Sequence, residues 1–199
     1  MKSDEYMTIQ GGGEGIYKEK GSRFLAFSFN VATVEEAKEI IAEKKKEFHD
    51  ARHHCFAWKI GPGEDNFRQG DDGEPSGTAG KPIYGQIISA GLTNTLIVVV
   101  RYFGGIKLGT GGLIVAYKTA AADCLANSTI VTKTWDSSVS FKFPYIAMND
   151  VMRALKDSSA QIDCQNFDND CTMTLSIRNA ELASMRKKLG DIEGLVFDD

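Results

Sequence analysis

The chain has 199 residues, of which 42% are hydrophobic and 25% charged, and its formal net charge is −4. This is ordinary globular composition, enough for one large or two small domains with a real core. It excludes a protein that grips nucleic acid by bulk positive charge, and the lack of any apolar run near the ~20 residues of a bilayer span excludes a helical membrane anchor.

The opening segment MKSDEYMTIQ has no apolar stretch of the signal-peptide kind, so a cytoplasmic protein is expected. Residues 1–13 are polar and close on three glycines, which predicts a loose start. From Phe24 the pattern alternates, with Leu25, Phe27, Phe29 and Val31 on one face of a strand. Thr33 and Glu36 then form a capping box, and Val34, Ala37, Ile41 and Phe48 continue at helical spacing to near His49. Lys44, Lys45 and Lys46 read as the solvated face of that amphipathic helix rather than as a nucleic-acid patch.

Residues 53–60 predict a strand that leads into a glycine-rich loop over 61–80. His53, His54 and Cys55, with Asp71, Asp72 and Glu74, include metal-ligand types. Adjacent strand side chains face opposite ways, however, so His53 and Cys55 share one face and His54 takes the other. No metal and no cofactor are expected; hydrogen-bonded, half-buried histidines are. The acidic run Asp71-Asp72-Gly73-Glu74-Pro75-Ser76 suits turn chemistry, and carboxylate catalysis with His53 or His54 as partner is the functional alternative. Ser76 is not in a nucleophile elbow, because Glu74 occupies the place of its first glycine. The four cysteines, Cys55, Cys124, Cys164 and Cys171, form no CxxC pair and read as reduced core thiols.

Residues 82–91 predict a short helix. Leu96 to Val100 is a continuous apolar run, as in a central strand buried on both faces. The positions Leu113, Ala116, Tyr117, Ala120, Ala121, Cys124 and Leu125 form an unbroken helical stripe that packs on that sheet. Thirteen of the twenty glycines lie between Gly61 and Gly112, and residues 51–118 carry +2 against −6 for the remainder. Between strand and helix stand Arg101, Gly104, Gly105 and Lys107, followed by Gly109, Thr110, Gly111 and Gly112 at the helix start. A basic residue, glycines and a helix N-terminus in that order make an anion site, because the first turn offers unpaired N–H groups and the positive end of the dipole. Lys81 is a further basic candidate. Neither a Walker loop nor a dinucleotide fingerprint fits these glycines.

After Asn127 the pattern changes. Val139, Phe141 and Phe143 alternate, 146–155 is helical, 162–167 and 171–177 alternate around the turn residues Asp168 and Asn169, and Leu182, Met185 and Leu189 are again helical. With a short apolar end at 195–197, that order is βαββαβ, a ferredoxin-like second domain. The expected division is 1–134 and 135–199.

The strings DDGEPSGTAGKP and VVVRYFGGIKLGTGGLIVAY, with HHCFAWKIG upstream, closely resemble the IMPACT family, bacterial YigZ type. The resemblance implies a first domain like the left-handed crossover α/β fold of a small-subunit ribosomal protein, and a second like the last domain of elongation factor G, an α+β arrangement overall. Relatives of both handle RNA. Eukaryotic members are linked to translational control through a stress-responsive kinase pathway, a partner the resemblance does not bring here, and it supplies no catalytic residues. The expectation is a translation-associated protein that binds RNA or ribosomal components and reads no DNA sequence, with Arg101, Lys107 and Lys81 meeting phosphate. The alternative is an enzyme on a small phosphorylated or acidic ligand at the same cradle, with Asp71, Asp72 and His54 beside it. A third reading makes the glycines packing devices.

Overall fold

The structure is a computed structural model that describes residues 4–167 and 171–198. The chain divides into two units: Met7–Thr132, and Met1–Tyr6 with Lys133–Asp199 as far as these are described. In chain order the first stretch forms β1 (Glu5–Gly11), β2 (Glu14–Glu19), β3 (Ser22–Asn30), α1 (Val34–Glu47), β4 (His53–Lys59), β5 (Phe67–Gly70), α2 (Gly80–Ser89), β6 (Thr95–Tyr102), α3 (Gly109–Ala126) and β7 (Thr129–Thr134).

The β-branched run of β6 lies at the middle of a five-stranded sheet ordered β2-β3-β6-β4-β5, with every neighbouring pair antiparallel. Its residues are buried from Thr95 through Arg101 because helices cover both faces of the sheet. On one face Ile97 and Val99 join Phe24, Ala26 and Ala57 in a core closed by α2 and α3. On the other, Leu96, Val98 and Val100 pack with Trp58 and Ile60 against Ala37 and Ile41 of α1. Each such aliphatic side chain removed from water contributes roughly 1.5–3 kcal/mol. The buried positions of α3 are those of the seven-residue stripe, from Leu113 to Leu125.

The capping box at the start of α1 is present, with Thr33 Oγ1 accepting from Glu36 N at 3.1 Å and Glu36 Oε2 accepting from Thr33 N at 3.3 Å. At its other end Lys44 lies over the Phe27 ring at 4.3 Å and pairs with Glu47, so this lysine covers apolar surface instead of standing free in water.

The second unit contains β8 (Asp136–Phe143), a 3-10 turn at Tyr145–Ala147, α4 (Met148–Leu155), β9 (Gln161–Phe167), β10 (Cys171–Arg178), α5 (Asn179–Gly190) and β11 (Val196–Asp198). Its antiparallel sheet has the order β11-β8-β10-β9, which is the ferredoxin-like βαββαβ arrangement. The alternating residues Cys171, Met173, Leu175 and Ile177 of β10 bury against Val151 of α4 and Met185 and Leu189 of α5. The short final strand does form, with Phe197 opposite Phe141 of β8. Asp168 and Asn169 lie outside the described residues. Together the two units make a two-domain α+β protein, and no helix among the described residues is long and apolar enough to cross a membrane.

Three expectations are corrected. Where it is described, from residue 4, the start is not loose: β1 pairs with β7, Ile9 is fully buried, and β2 is an edge strand on β3. The segment 61–80 is not all loop, because β5 inside it pairs with β4. Cys164 is not in a core: it lies on β9, every residue of which is exposed, since β9 is the outer strand of its sheet. Cys55, Cys124 and Cys171 are buried free thiols.

Candidate functional site

The register of β4 on β6 sets His53 opposite Arg101, which places the beginning of one strand beside the end of the other. The acidic loop after β5 folds over this junction, and α3 starts next to it. Between them lies a cavity of about 450 Å³ lined by Arg52, His53, Glu74, Pro75, Arg101 and Phe103 and, from the α3 side, Lys107 to Thr110 and Leu113.

The floor is a buried ionic network. Glu74, whose side chain is 3% exposed, accepts from Arg101 Nη1 at 2.6 Å and from Tyr117 Oη at 2.8 Å. Arg101 is itself buried at 5%, lies 5.4 Å from the Phe24 ring and 5.6 Å from the Phe103 ring, and leaves its Nε without a hydrogen-bond partner. A buried, unpaired donor on a cation is costly. Behind the network Cys55 Sγ donates to the Asp71 carbonyl at 3.0 Å and lies 3.3 Å from Tyr117 Oη. Burial pushes both the Cys55 thiol and the Tyr117 phenol well above their usual ranges, so both stay protonated.

The carboxylates of the loop have separate jobs. Asp71 accepts from the backbone of Gly77 at 2.8 Å, Ala79 at 3.0 Å and Gly80 at 2.8 Å, and so closes the loop and caps the start of α2. Asp72 accepts from His54 N at 2.8 Å and pairs with Lys45 at 2.8 Å. Partial burial works to raise its pKa, but the Lys45 ammonium and the His54 N–H outweigh that and hold it below the usual carboxylate value. His53 Nδ1 is 3.0 Å from the Asp72 carbonyl, which only accepts, so Nδ1 carries the proton and Nε2 faces Glu74 at 3.9 Å. His54 points to the other face, its Nε2 on the Phe48 carbonyl at 3.0 Å.

The sequence expectations sort accordingly. Arg101, Lys107, Gly109 and Thr110 are brought together with His53 and Glu74 at one cavity. Arg101, expected to meet phosphate or else to be held by an acidic residue of the loop, is held inside by Glu74. Lys81 is exposed on α2 and does not line the cavity, while Ser76 is exposed on the loop. Gly104 has a packing role: a Cβ there would come within 1.9 Å of the Gly21 backbone, and its N–H donates to Ser22 Oγ at 3.1 Å. Gly105 makes the turn at φ +85° and Gly109 opens α3 at φ +73°, a conformation that favours glycine. Gly111 and Gly112 lie in the first helical turn, exposed and half-buried. No side chain caps the start of α3, so its first N–H groups and the positive end of its dipole are left beside the cavity. Reasoning from the sequence missed Arg52, Phe103, Leu108 and the hydroxyl of Tyr117. Arg52 was findable only through the pairing of β4 with β6, since it precedes the residue opposite Arg101.

Such an arrangement can bind an anion. Glu74 and Arg101 neutralise each other, whereas Arg52 and Lys107 have no ion-pair partner among the described residues, so the cavity presents two net positive charges.

Comparison with known proteins bears on the same region. A family model described as the Impact N-terminal domain matches residues 20–125, which include every residue lining the cavity. The IMPACT family member YigZ of Escherichia coli (strain K12) is 35% identical over 174 residues, covering 86% of this chain and 85% of its own. An IMPACT family member of Haemophilus influenzae is 33% identical over 172 residues, covering 85% and 84%. A solved crystal structure described as a hypothetical protein superposes with a TM-score of 0.74 at 31% identity, over 97% of this chain and 96% of that one. The chain belongs to the IMPACT family, in its bacterial YigZ type.

Proposed function

We propose that this chain is a translation-associated regulatory protein that binds RNA or ribosomal components by gripping phosphate at the mouth of the α3 cavity. The observation that supports this reading is the conjunction of an uncapped helix start with Arg52 and Lys107 around one concavity. Arg52 and Lys107 meet the anion; Arg101, fixed and neutralised by Glu74, forms the floor beneath them. Such contacts position a backbone and read no sequence, in keeping with a protein that carries no bulk positive charge. The natural compartment for this role is the cytoplasm.

The test is fluorescence anisotropy with two unrelated single-stranded RNA oligomers across a range of salt. Arg52→Ala and Lys107→Ala should weaken both oligomers alike and lower the salt slope by roughly 0.7 each, one phosphate contact on a single strand. Unchanged affinity and slope in the folded double variant would remove the cavity from RNA binding.

A second reading is supported by the cavity's shape. At about 450 Å³ it falls within the range of small-ligand sites, so an enzyme acting on a small phosphorylated or acidic compound is the alternative, with Nε2 of His53 as the proton acceptor. Co-purification of a metabolite without RNA would favour it.

A further inference from the structure

The lining of the α3 cavity has two halves of different chemistry. One half holds Arg52, Lys107 and the start of α3, where no side chain caps the first N–H groups. The other is apolar: Leu108, the side chain of Leu113, and Phe103, which is 45% exposed. An exposed aromatic ring beside a phosphate site has an obvious complement in a nucleobase, because every base has a stackable face. The guanidinium 5.6 Å from the same ring polarises it further.

Charge then decides which phosphate. An internal phosphodiester carries one negative charge and its chain leaves in two directions, whereas a phosphomonoester carries about −1.5 to −2 with three acceptor oxygens. Among the described residues that line the cavity, Arg52 and Lys107 are cations without an ion-pair partner, and with the N–H groups of the helix start they offer more donors than two non-bridging oxygens use. The side of the cavity formed by Glu74 and Arg101 is closed by their buried ion pair, which suits a ligand that ends against it.

We propose that the cavity takes a nucleoside bearing a terminal phosphomonoester, its phosphate at the start of α3 between Arg52 and Lys107 and its base against Phe103. This rests on the phosphate-gripping reading above and specifies its ligand. The same chemistry is offered by the phosphorylated end of an RNA strand and by a free nucleoside monophosphate.

The experiment measures binding of the intact chain to five probes: one RNA oligomer with a 5′-phosphate, a 3′-phosphate or hydroxyls at both ends, a free nucleoside monophosphate, and inorganic phosphate. A phosphorylated oligomer or the free monophosphate should bind at least about ten-fold tighter than the hydroxyl-ended oligomer, and the better of the two identifies the source. Phe103→Ala should weaken that ligand roughly five-fold or more while leaving inorganic phosphate unchanged, and Arg52→Ala with Lys107→Ala should weaken both. All three side chains are exposed, so the variants should melt with the parent. Equal binding of phosphorylated and hydroxyl-ended oligomers, with the free monophosphate no tighter, overturns this proposal, while RNA binding at the cavity stands if Arg52→Ala and Lys107→Ala weaken all of them. Binding of the free monophosphate alone upholds it and overturns the RNA reading. Inorganic phosphate binding as tightly as the nucleotide, with Phe103→Ala silent, overturns the nucleoside assignment. No binding by any probe overturns both.

Discussion

Replacing Glu74 by Gln tests whether the ionic floor of the cavity is shielded from water. The exchange keeps the shape and an oxygen that accepts from Arg101 Nη1 and Tyr117 Oη, so only the charge is lost. At 2.6 Å and an effective dielectric constant near 20, the gross attraction between Arg101 and Glu74 is about 6 kcal/mol. Much of that is offset by the cost of desolvating the pair, but Arg101 remains buried in the variant with its charge uncompensated. Breaking a pair of this kind costs about 3–5 kcal/mol, and the retained acceptor puts Glu74→Gln near the lower end, about 3 kcal/mol. For a unit of this size that is a fall in melting temperature of about 10 °C. Urea unfolding followed by circular dichroism reads the free energy directly. Adding Arg101→Met removes the orphaned charge, so the double variant should recover most of the loss, giving a coupling of at least about 2 kcal/mol. A single-variant loss below about 1 kcal/mol, or strict additivity in the double variant, would refute the reasoning: the pair would then behave as a solvated surface bridge.

Of the four thiols, Cys164 alone is exposed, so a thiol reagent should find one fast group in the native chain and four after unfolding. Burial raises Cys124 to about 11, so its folded pKa exceeds the unfolded value near 8.5; stability should hold below about pH 8.5 and decline as pH rises toward 11, more gently in Cys124→Ala. The lowered pKa of Asp72 works in the opposite direction: its contribution is present above about pH 4 and lost as pH falls through the folded value, so Asp72→Asn should flatten the acid limb of an unfolding profile. Gly104→Ala should prevent native folding, because the new methyl meets the Gly21 backbone, while Gly111→Ala, which meets nothing within 4 Å, should stabilise by about 0.4–1 kcal/mol in thermal melts.

Local chemistry made much of the fold legible. The capping box at Thr33 and Glu36, the apolar run of β6 and the seven-residue stripe of α3 each follow from patterns a few residues long, and the structure has them as read. The alternation after Asn127 likewise carried the ferredoxin-like order, down to a final strand of three residues. What local pattern could not carry was pairing at a distance. The strand β1 has no strong alternation of its own and exists because β7, more than a hundred residues on, supplies its hydrogen bonds. The short β5 needed β4 beside it.

The site divides in the same way. Sequence alone determined that a basic residue, glycines and a helix start succeed one another between Arg101 and Gly112, because a helix N-terminus is a local object. Only the tertiary structure decided what Arg101 does. Glu74 lies twenty-seven residues upstream and reaches it at 2.6 Å only because the acidic loop folds over the end of β6, so the residue that looked like a phosphate ligand became the buried floor. The cations left without an ion-pair partner at the cavity are Arg52 and Lys107, one just before the strand entering the junction and one from the turn leaving it. The glycines, uniform in the sequence, likewise separated only in three dimensions: Gly104 packs against another backbone, Gly109 turns the chain, and Gly111 has open space around it. A glycine's role is set by what lies within a few ångströms of the Cβ it lacks, and that is a property of the folded chain alone.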